Sequence, residues 1–377
     1  MKLAEVGGPL IGFVAMGVFW GAWGTLIPVV KTNTAASDAE LGMALLCVAL
    51  GAIPAMILGG RMVDRLGVRL LLPIAIPAFG ASAVLPAMAR DPFALGLCLL
   101  ILGCCSGFMD IVMNAGVSEA DSRTGKSSMQ FAHGSFAAIY FLVAIASGQA
   151  RGSGFGALQV LLAILLLCLL LAVLAGVLTR AGSRSGSEPR SGFRPSLPVM
   201  GLGVIAGIAF LTENGLQNWS ALFFERLFDA TPQLSSGAPA TVGLAVAIGR
   251  FGGQAMTQRV GDWGIILLGA GGSALGCLAF AFSQHPWLAY AGIFLGAAGV
   301  SVIAPAALNI GGQRASSATR GATVATISVI AYTGFFVGPA MLGFLSQGFG
   351  LRVAMALLCI GAILIAIIAN IIRSKSP

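Results

Sequence analysis

Twelve apolar stretches, near residues 7–30, 39–60, 68–89, 93–118, 128–150, 155–179, 197–224, 238–257, 263–283, 287–310, 321–347 and 351–372, run through this chain with hardly a charge inside them. Each is close to the roughly 20 residues that carry a helix across hydrocarbon. A water-soluble core cannot use that much unbroken apolar surface. Lipid can, provided every backbone group is satisfied within its own segment. Only 9% of the residues are charged and mean hydropathy is +0.95, against about a quarter charged in a soluble domain. The stretches show no alternation of period two, which favours helices over an outer-membrane barrel. The expected fold is an all-α membrane protein with twelve transmembrane helices.

An even number of spans puts both termini on one side, and the basic residues identify that side. Fifteen of the 21 Lys and Arg residues fall with the termini, five (Lys31, Arg90, Arg151, Arg226, Arg352) fall opposite, and Arg250 lies within a span. Short loops rich in Lys and Arg stay in the cytoplasm. Both termini are therefore expected there, in a bacterial inner membrane. The net charge of +8 is spread over short loops with no aromatic interleaving, so topology explains it better than nucleic-acid binding. Only Lys2 precedes the first stretch, which is too long for a signal-peptide core and lacks a clear cleavage site. The seven cysteines all lie in spans without metal-ligand spacing, and packing accounts for them.

The chain is also duplicated. Gly59 to Arg69 forms a glycine-flanked basic turn between spans two and three, and a degenerate copy, Gly253 to Gly261, returns about 194 residues later. Asn114-Ala115-Gly116 and Asn309-Ile310-Gly311 repeat at an offset of 195. The one long polar stretch, rich in Ser, Gly and Arg, reads as a linker. The expected domains are an N-terminal six-helix bundle over 1–180, a cytoplasmic linker over 181–196, and a C-terminal bundle over 197–377. Parallel repeats of this kind enclose a site near the bilayer midplane.

With Gly60, Asp64, Arg65, Gly67 and Arg69 spaced as they are between spans two and three, the sequence resembles the major facilitator superfamily of transporters. That resemblance implies two pseudo-symmetric bundles and, for this turn, a cytoplasmic latch in which Asp64 helps hold the halves together. Met109 to Asn114, Phe131 to Gly134 and Glu213 to Ser220 look like a bacterial branch near the fucose-permease-type sugar transporters. Span four lacks the arginine, and span five the Gly-Pro motif, usual in the superfamily's proton-coupled drug exporters.

Charges inside spans single out the site, since each costs on the order of 2.5 kcal/mol or more at the bilayer centre. Asp110 shares a stripe of span four with Gly103, Gly107 and Asn114, a face that must border either a packed neighbour or a wet cavity. It is the main candidate for proton coupling, because taking up a proton removes its costly charge. Glu213 and His133 are the others. In span seven Gln217 and Ser220 follow Glu213 on one row and Asn214 with Asn218 form another, so that helix is expected to kink or unwind near Gly215 beside a cavity. Trp219 would offer a flat face to a ring. Arg250 is expected to pair with Glu213 or to meet substrate, with Gln254 on the same face. Trp20, Trp23, Gln130, Tyr140 and Tyr332 are further candidates for the cavity wall. Asn114 and Asn309 are read as helix C-caps, with a place at the inner gate as the alternative.

These readings converge on a secondary active transporter working by alternating access, with no cofactor and no nucleic-acid partner. No phosphate-binding loop for an ATP motor is present. Amides, hydroxyls and tryptophans suggest a small polar solute (a sugar, cyclitol or amino-polyol) moving in symport with protons through a monomer. The rival is a proton-driven exporter of amphipathic or cationic compounds. An enzyme is not expected, since no nucleophile lies at readable spacing from His133.

Overall fold

The computed structural model describes residues 3–124, 128–179, 195–316 and 319–374, and every regular element among them is helical. The first half contains α1 (Leu3–Asn33), α2 (Asp38–Leu66), α3 (Val68–Val84), α4 (Pro92–Thr124), α5 (Met129–Gly152) and α6 (Ala157–Leu178). The second contains α7 (Leu197–Phe228), α8 (Pro232–Ala281), α9 (Pro286–Ser301), α10 (Ile303–Arg314), α11 (Arg320–Phe349) and α12 (Leu351–Ser374). Two boundaries differ from the sequence reading without changing the number of crossings. The 50 residues of α8 would extend roughly 75 Å if straight, enough for two spans, and non-helical Gly261 separates arms 232–260 and 262–281. Conversely, α9 and α10 make one span, Pro286–Arg314, interrupted at Val302. Of the resulting twelve crossings, eleven are long and apolar enough to qualify by length and composition alone.

The repeat is written into the backbone. Among the described residues the positive-φ positions outside the helices' regular geometry are Ala35, Asp229, Gly67, Gly261, Gly154 and Gly350. They fall into three pairs, Ala35 with Asp229, Gly67 with Gly261, and Gly154 with Gly350, at offsets of 194, 194 and 196 residues. Each pair occupies the same inter-helix turn of its half: first to second, second to third, and fifth to sixth span. Gly67 has φ 78° and ψ 157°, a region open essentially to glycine alone. Gly60 differs, since a Cβ there would meet nothing within 4 Å. Gly67→Ala should therefore lower stability by about 1–3 kcal/mol while Gly60→Ala, inside α2, holds it or raises it by up to about 1 kcal/mol. Thermal melts of the two variants in one detergent check this, and equal melting points would refute the assignment.

Two compact units emerge among the described residues, one of those up to 179 together with 231–240, and one of those in 195–230 and from 241 onward. The segment proposed as the linker lies almost wholly outside the described residues. Within each unit, glycines let helix backbones approach. Cβ atoms on Gly17 and Gly21 of α1 would strike the carbonyls of Phe136 and Tyr140 on α5, and one on Gly334 of α11 would strike the carbonyl of Gly207 on α7. First and fifth spans thus pack alike in both halves, as small-residue seams in membranes do. Large apolar side chains on the outside, such as Leu166, Leu170, Val173 and Val177 of α6, are exposed, as lipid-facing positions should be.

Lys31, Arg151 and Arg352, basic residues on the side opposite the termini, are held by the fold. Lys31 pairs with Asp38 at 3.3 Å. The Arg151 Nη1 donates to the Thr25 carbonyl at 2.6 Å, and the Arg352 Nη1 donates to those of Ala281 and Ser283 at 3.0 and 2.9 Å. Carbonyls left over where helices end carry partial negative charge that a cation satisfies. Arg352 meets such carbonyls at the end of α8, whereas Arg151 reaches a carbonyl within α1 and Lys31 a carboxylate at the start of α2.

Candidate functional site

In the N-terminal unit, Asp110 and Asn114 sit one turn apart on α4, both half-buried. The Asn114 Nδ2 donates to the Asp110 backbone oxygen at 2.8 Å and to its Oδ1 at 3.1 Å. Asn114 is therefore no C-cap: α4 continues to Thr124, and the amide serves the carboxylate beside it. No cation among the described residues pairs with Asp110. The stripe that carries it faces a packed neighbour over its first half, because Cβ atoms on Gly103 and Gly107 would collide with the α2 carbonyls of Val48 and Ala52. Asp110 thus lies just beyond a close helix seam that fixes its depth.

Around it the aromatics divide. His133, on the first turns of α5, is exposed and meets the Phe13 ring edge-on at 5.0 Å. Trp20 is half-buried, whereas Tyr140 and Trp23 are buried, with Trp23 stacked on Phe19 at 5.9 Å. Trp23 and Tyr140 are thus packing residues here rather than cavity wall. The Gln130 and Gln254 side chains lie outside the described part of the structure.

In the C-terminal unit, α7 and α8 bring Glu213 and Arg250 together. The Arg250 Nη2 lies 3.2 Å from the Glu213 Oε1 and 3.4 Å from its Oε2. Exposure is unequal, at 11% for the Glu213 side chain and 41% for that of Arg250. One helical turn away, the Asn218 Nδ2 donates to the Asn214 backbone oxygen at 3.0 Å and also to its side-chain oxygen. The expected break at Gly215 is absent, for α7 is continuous from Leu197 to Phe228. Gly215 instead accommodates the Leu342 side chain of α11 and Leu358 of α12, so its lack of a Cβ serves packing. Trp219 is fully buried, and neighbours cover the ring face expected to meet a solute. Its Nε1 and the Ser220 Oγ have no partner among the described residues. Tyr332, exposed on α11, joins Phe210 at 6.1 Å and stacks on Phe336 at 6.0 Å.

Asn309 is not a C-cap either. Its Nδ2 donates to both oxygens of Asp262 at 3.0 and 2.9 Å. Asp262 follows the positive-φ Gly261, and Arg314 lies over the adjacent Trp263 ring at 5.3 Å. The matching asparagines of the two halves thus each hold a carboxylate, one from the same helix and one from the turn after span eight. Asp262 went unremarked in the sequence because the degenerate turn keeps only its glycine and arginine. Its signal was a lone acid directly after that glycine. In the first turn, Asp64, Arg61, Arg65 and Arg69 are exposed, and Asp64 has no partner among the described residues.

Twelve apolar helices in two repeated halves, with ionisable groups kept inside the spans, define a multi-pass membrane transporter. The sequence model of the Major Facilitator Superfamily matches residues 10–289, and the chain belongs to that superfamily. An uncharacterised MFS-type transporter of Yersinia pestis is 27% identical over 96% of this chain and 93% of the relative. Among solved structures, the nucleoside transporter NupG superposes with a TM-score of 0.79 at 12% identity, covering all of both chains. A bacterial homologue of the human lysosomal transporter Spinster, inward-facing and unoccupied, gives 0.75 at 15% identity over 99% of this chain and 96% of that one. At such identities the structures bear on fold alone.

Proposed function

We propose that this transporter is a proton-coupled symporter of the bacterial inner membrane, with both termini cytoplasmic, moving a small polar solute of the sugar, cyclitol or amino-polyol class by alternating access. One observation carries the reading: Asp110 is a mid-span carboxylate whose described partner is an amide rather than a cation. A carboxylate left ionised there must be stabilised by water or by a transported cation, and protonation removes the charge before the site reorients. Glu213 is less suited to that cycle, because its carboxylate is already engaged by the Arg250 guanidinium. The same pairing weakens the exporter reading, in which Glu213 would be a free counter-charge for a cationic drug. His133, exposed near the start of α5, is proposed to pass protons to or from water. Asp64 is proposed as the latch, and the open space at Gly60 supports a surface kept bare for something outside its own bundle.

Full-length protein in liposomes holding a pH-sensitive dye tests this. Sugars, cyclitols and amino-polyols are added outside one at a time. At least one should acidify the lumen through wild type, and Asp110→Asn should abolish acidification while still binding solute. Undiminished proton movement through Asp110→Asn would remove Asp110 from the mechanism.

A further inference from the structure

We infer that the transported solute carries a carboxylate, that Arg250 receives it, and that the solute is a sugar acid of the uronate or aldonate type. This rests on the polar-solute reading above and narrows it. The ion pair with Glu213 uses a single nitrogen of the guanidinium, Nη2, which approaches both carboxylate oxygens. That nitrogen carries two hydrogens, so one two-donor edge of the planar fork stays complete, and neither Nε nor Nη1 has a partner among the described residues. Such an edge matches the two oxygens of a carboxylate, the pairing for which guanidinium is best shaped. Arg250 is also placed to be reached. Its side chain is 41% exposed where Glu213 is 11% exposed, and an exposed guanidinium inside a span must face water rather than acyl chains. Glu213 then acts as a positioning residue that holds the fork from one side.

The neighbours suit the rest of such a molecule. Asn218 commits its amide nitrogen to Asn214, which leaves its side-chain oxygen to accept from a solute hydroxyl, and half-buried Gln217 stands one turn from Glu213 on the same row. Phe210, one turn before Glu213 on that stripe, forms with Tyr332 and Phe336 an aromatic wall against which the apolar face of a sugar ring can lie. Charge balance agrees. An anion entering alone against 100 mV would cost about 2.3 kcal/mol, and a proton on Asp110 makes the loaded transporter's passage electroneutral.

The test is a thermal-shift titration of the purified full chain at constant ionic strength. Paired probes are D-glucuronate against D-glucuronamide, D-galacturonate against D-galactose, and D-gluconate against sorbitol. At least one acid should raise the melting temperature where its neutral counterpart does not. Arg250→Lys should weaken that acid by about tenfold or more, since it keeps the charge and loses the fork. Removing Arg250 alone orphans Glu213, so the double variant Glu213→Gln with Arg250→Gln, which strands no charge, is measured beside it and should not respond to the acid. Neutral partners that stabilise as well as the acids would overturn the carboxylate and leave the polar-solute reading standing. The proposal also fails if no acid stabilises wild type, or if the double variant responds as wild type does. Failure of the parent reading would show separately, as proton movement indifferent to Asp110→Asn.

Discussion

Arg250→Met is expected to destabilise the protein by about 3 kcal/mol, and Glu213→Gln by only about 1 kcal/mol, although the two changes break the same ion pair. The asymmetry follows from exposure. Without Arg250, the carboxylate of Glu213 stays 89% covered with no other described partner, and a buried charge without its counter-ion bears the full desolvation cost. Without Glu213, the guanidinium remains 41% exposed and water can solvate it, which limits the loss. The double variant Arg250→Met with Glu213→Leu should recover most of the stability, since two apolar groups of similar volume strand no charge. Thermal or denaturant unfolding in one detergent supplies the double-mutant cycle. Equal losses from the two single variants would show that the exposures do not govern the pair.

That pair was readable from sequence because its physics is local. A guanidinium in a span must find an acid, and the adjacent helix offered one. The twelve crossings were readable for a similar reason, since hydrocarbon thickness sets a length that composition reveals directly. Trp219 and Trp23 show where such reading stops. Trp23 lies on a helix apolar on nearly every face and Trp219 beside two polar rows of α7, and in neither does the one-dimensional pattern say which side turns toward a packed neighbour, since burial follows from other helices. Gly215 misled for a related reason. A glycine amid polar residues can mark a break in a helix or a close approach to another, and only the position of Leu342 decides between them. Asn114 and Asn309 were placed at helix ends because hydropathy fades there, but α4 runs on to Thr124 on polar residues. Its last turns extend beyond the apolar stretch that hydropathy can detect.

The seam between first and fifth spans should tolerate side chains least of all. Gly334→Val is expected to cost upwards of about 3 kcal/mol and to abolish a monodisperse peak on gel filtration, because its Cβ would strike the carbonyl oxygen of Gly207. A colliding side chain can rotate away, whereas this carbonyl belongs to a helix whose hydrogen bonds hold it in place. The helices would have to separate and lose contact along their length: a Cβ on Gly338 of α11 would also lie 3.2 Å from the Leu211 carbonyl, and one on Gly207 would lie 3.2 Å from that of Ile330. Gly21→Val should fail in the same way against the Tyr140 carbonyl, since the N-terminal unit builds the matching seam. Gly252→Ala is the control: a Cβ there meets nothing within 4 Å and alanine is the better helix former, so stability should hold or rise by up to about 1 kcal/mol. The seam also bears on transport, because α7 carries Glu213 and α11 carries Tyr332, so any separation moves the charged pair away from the aromatic wall. Gly334→Ala places the same Cβ against that carbonyl, so it should lower the melting temperature and weaken solute binding together. Gly334→Val protein that elutes and melts like wild type would mean that the two helices can part at that depth, and that the close approach does not hold the unit together.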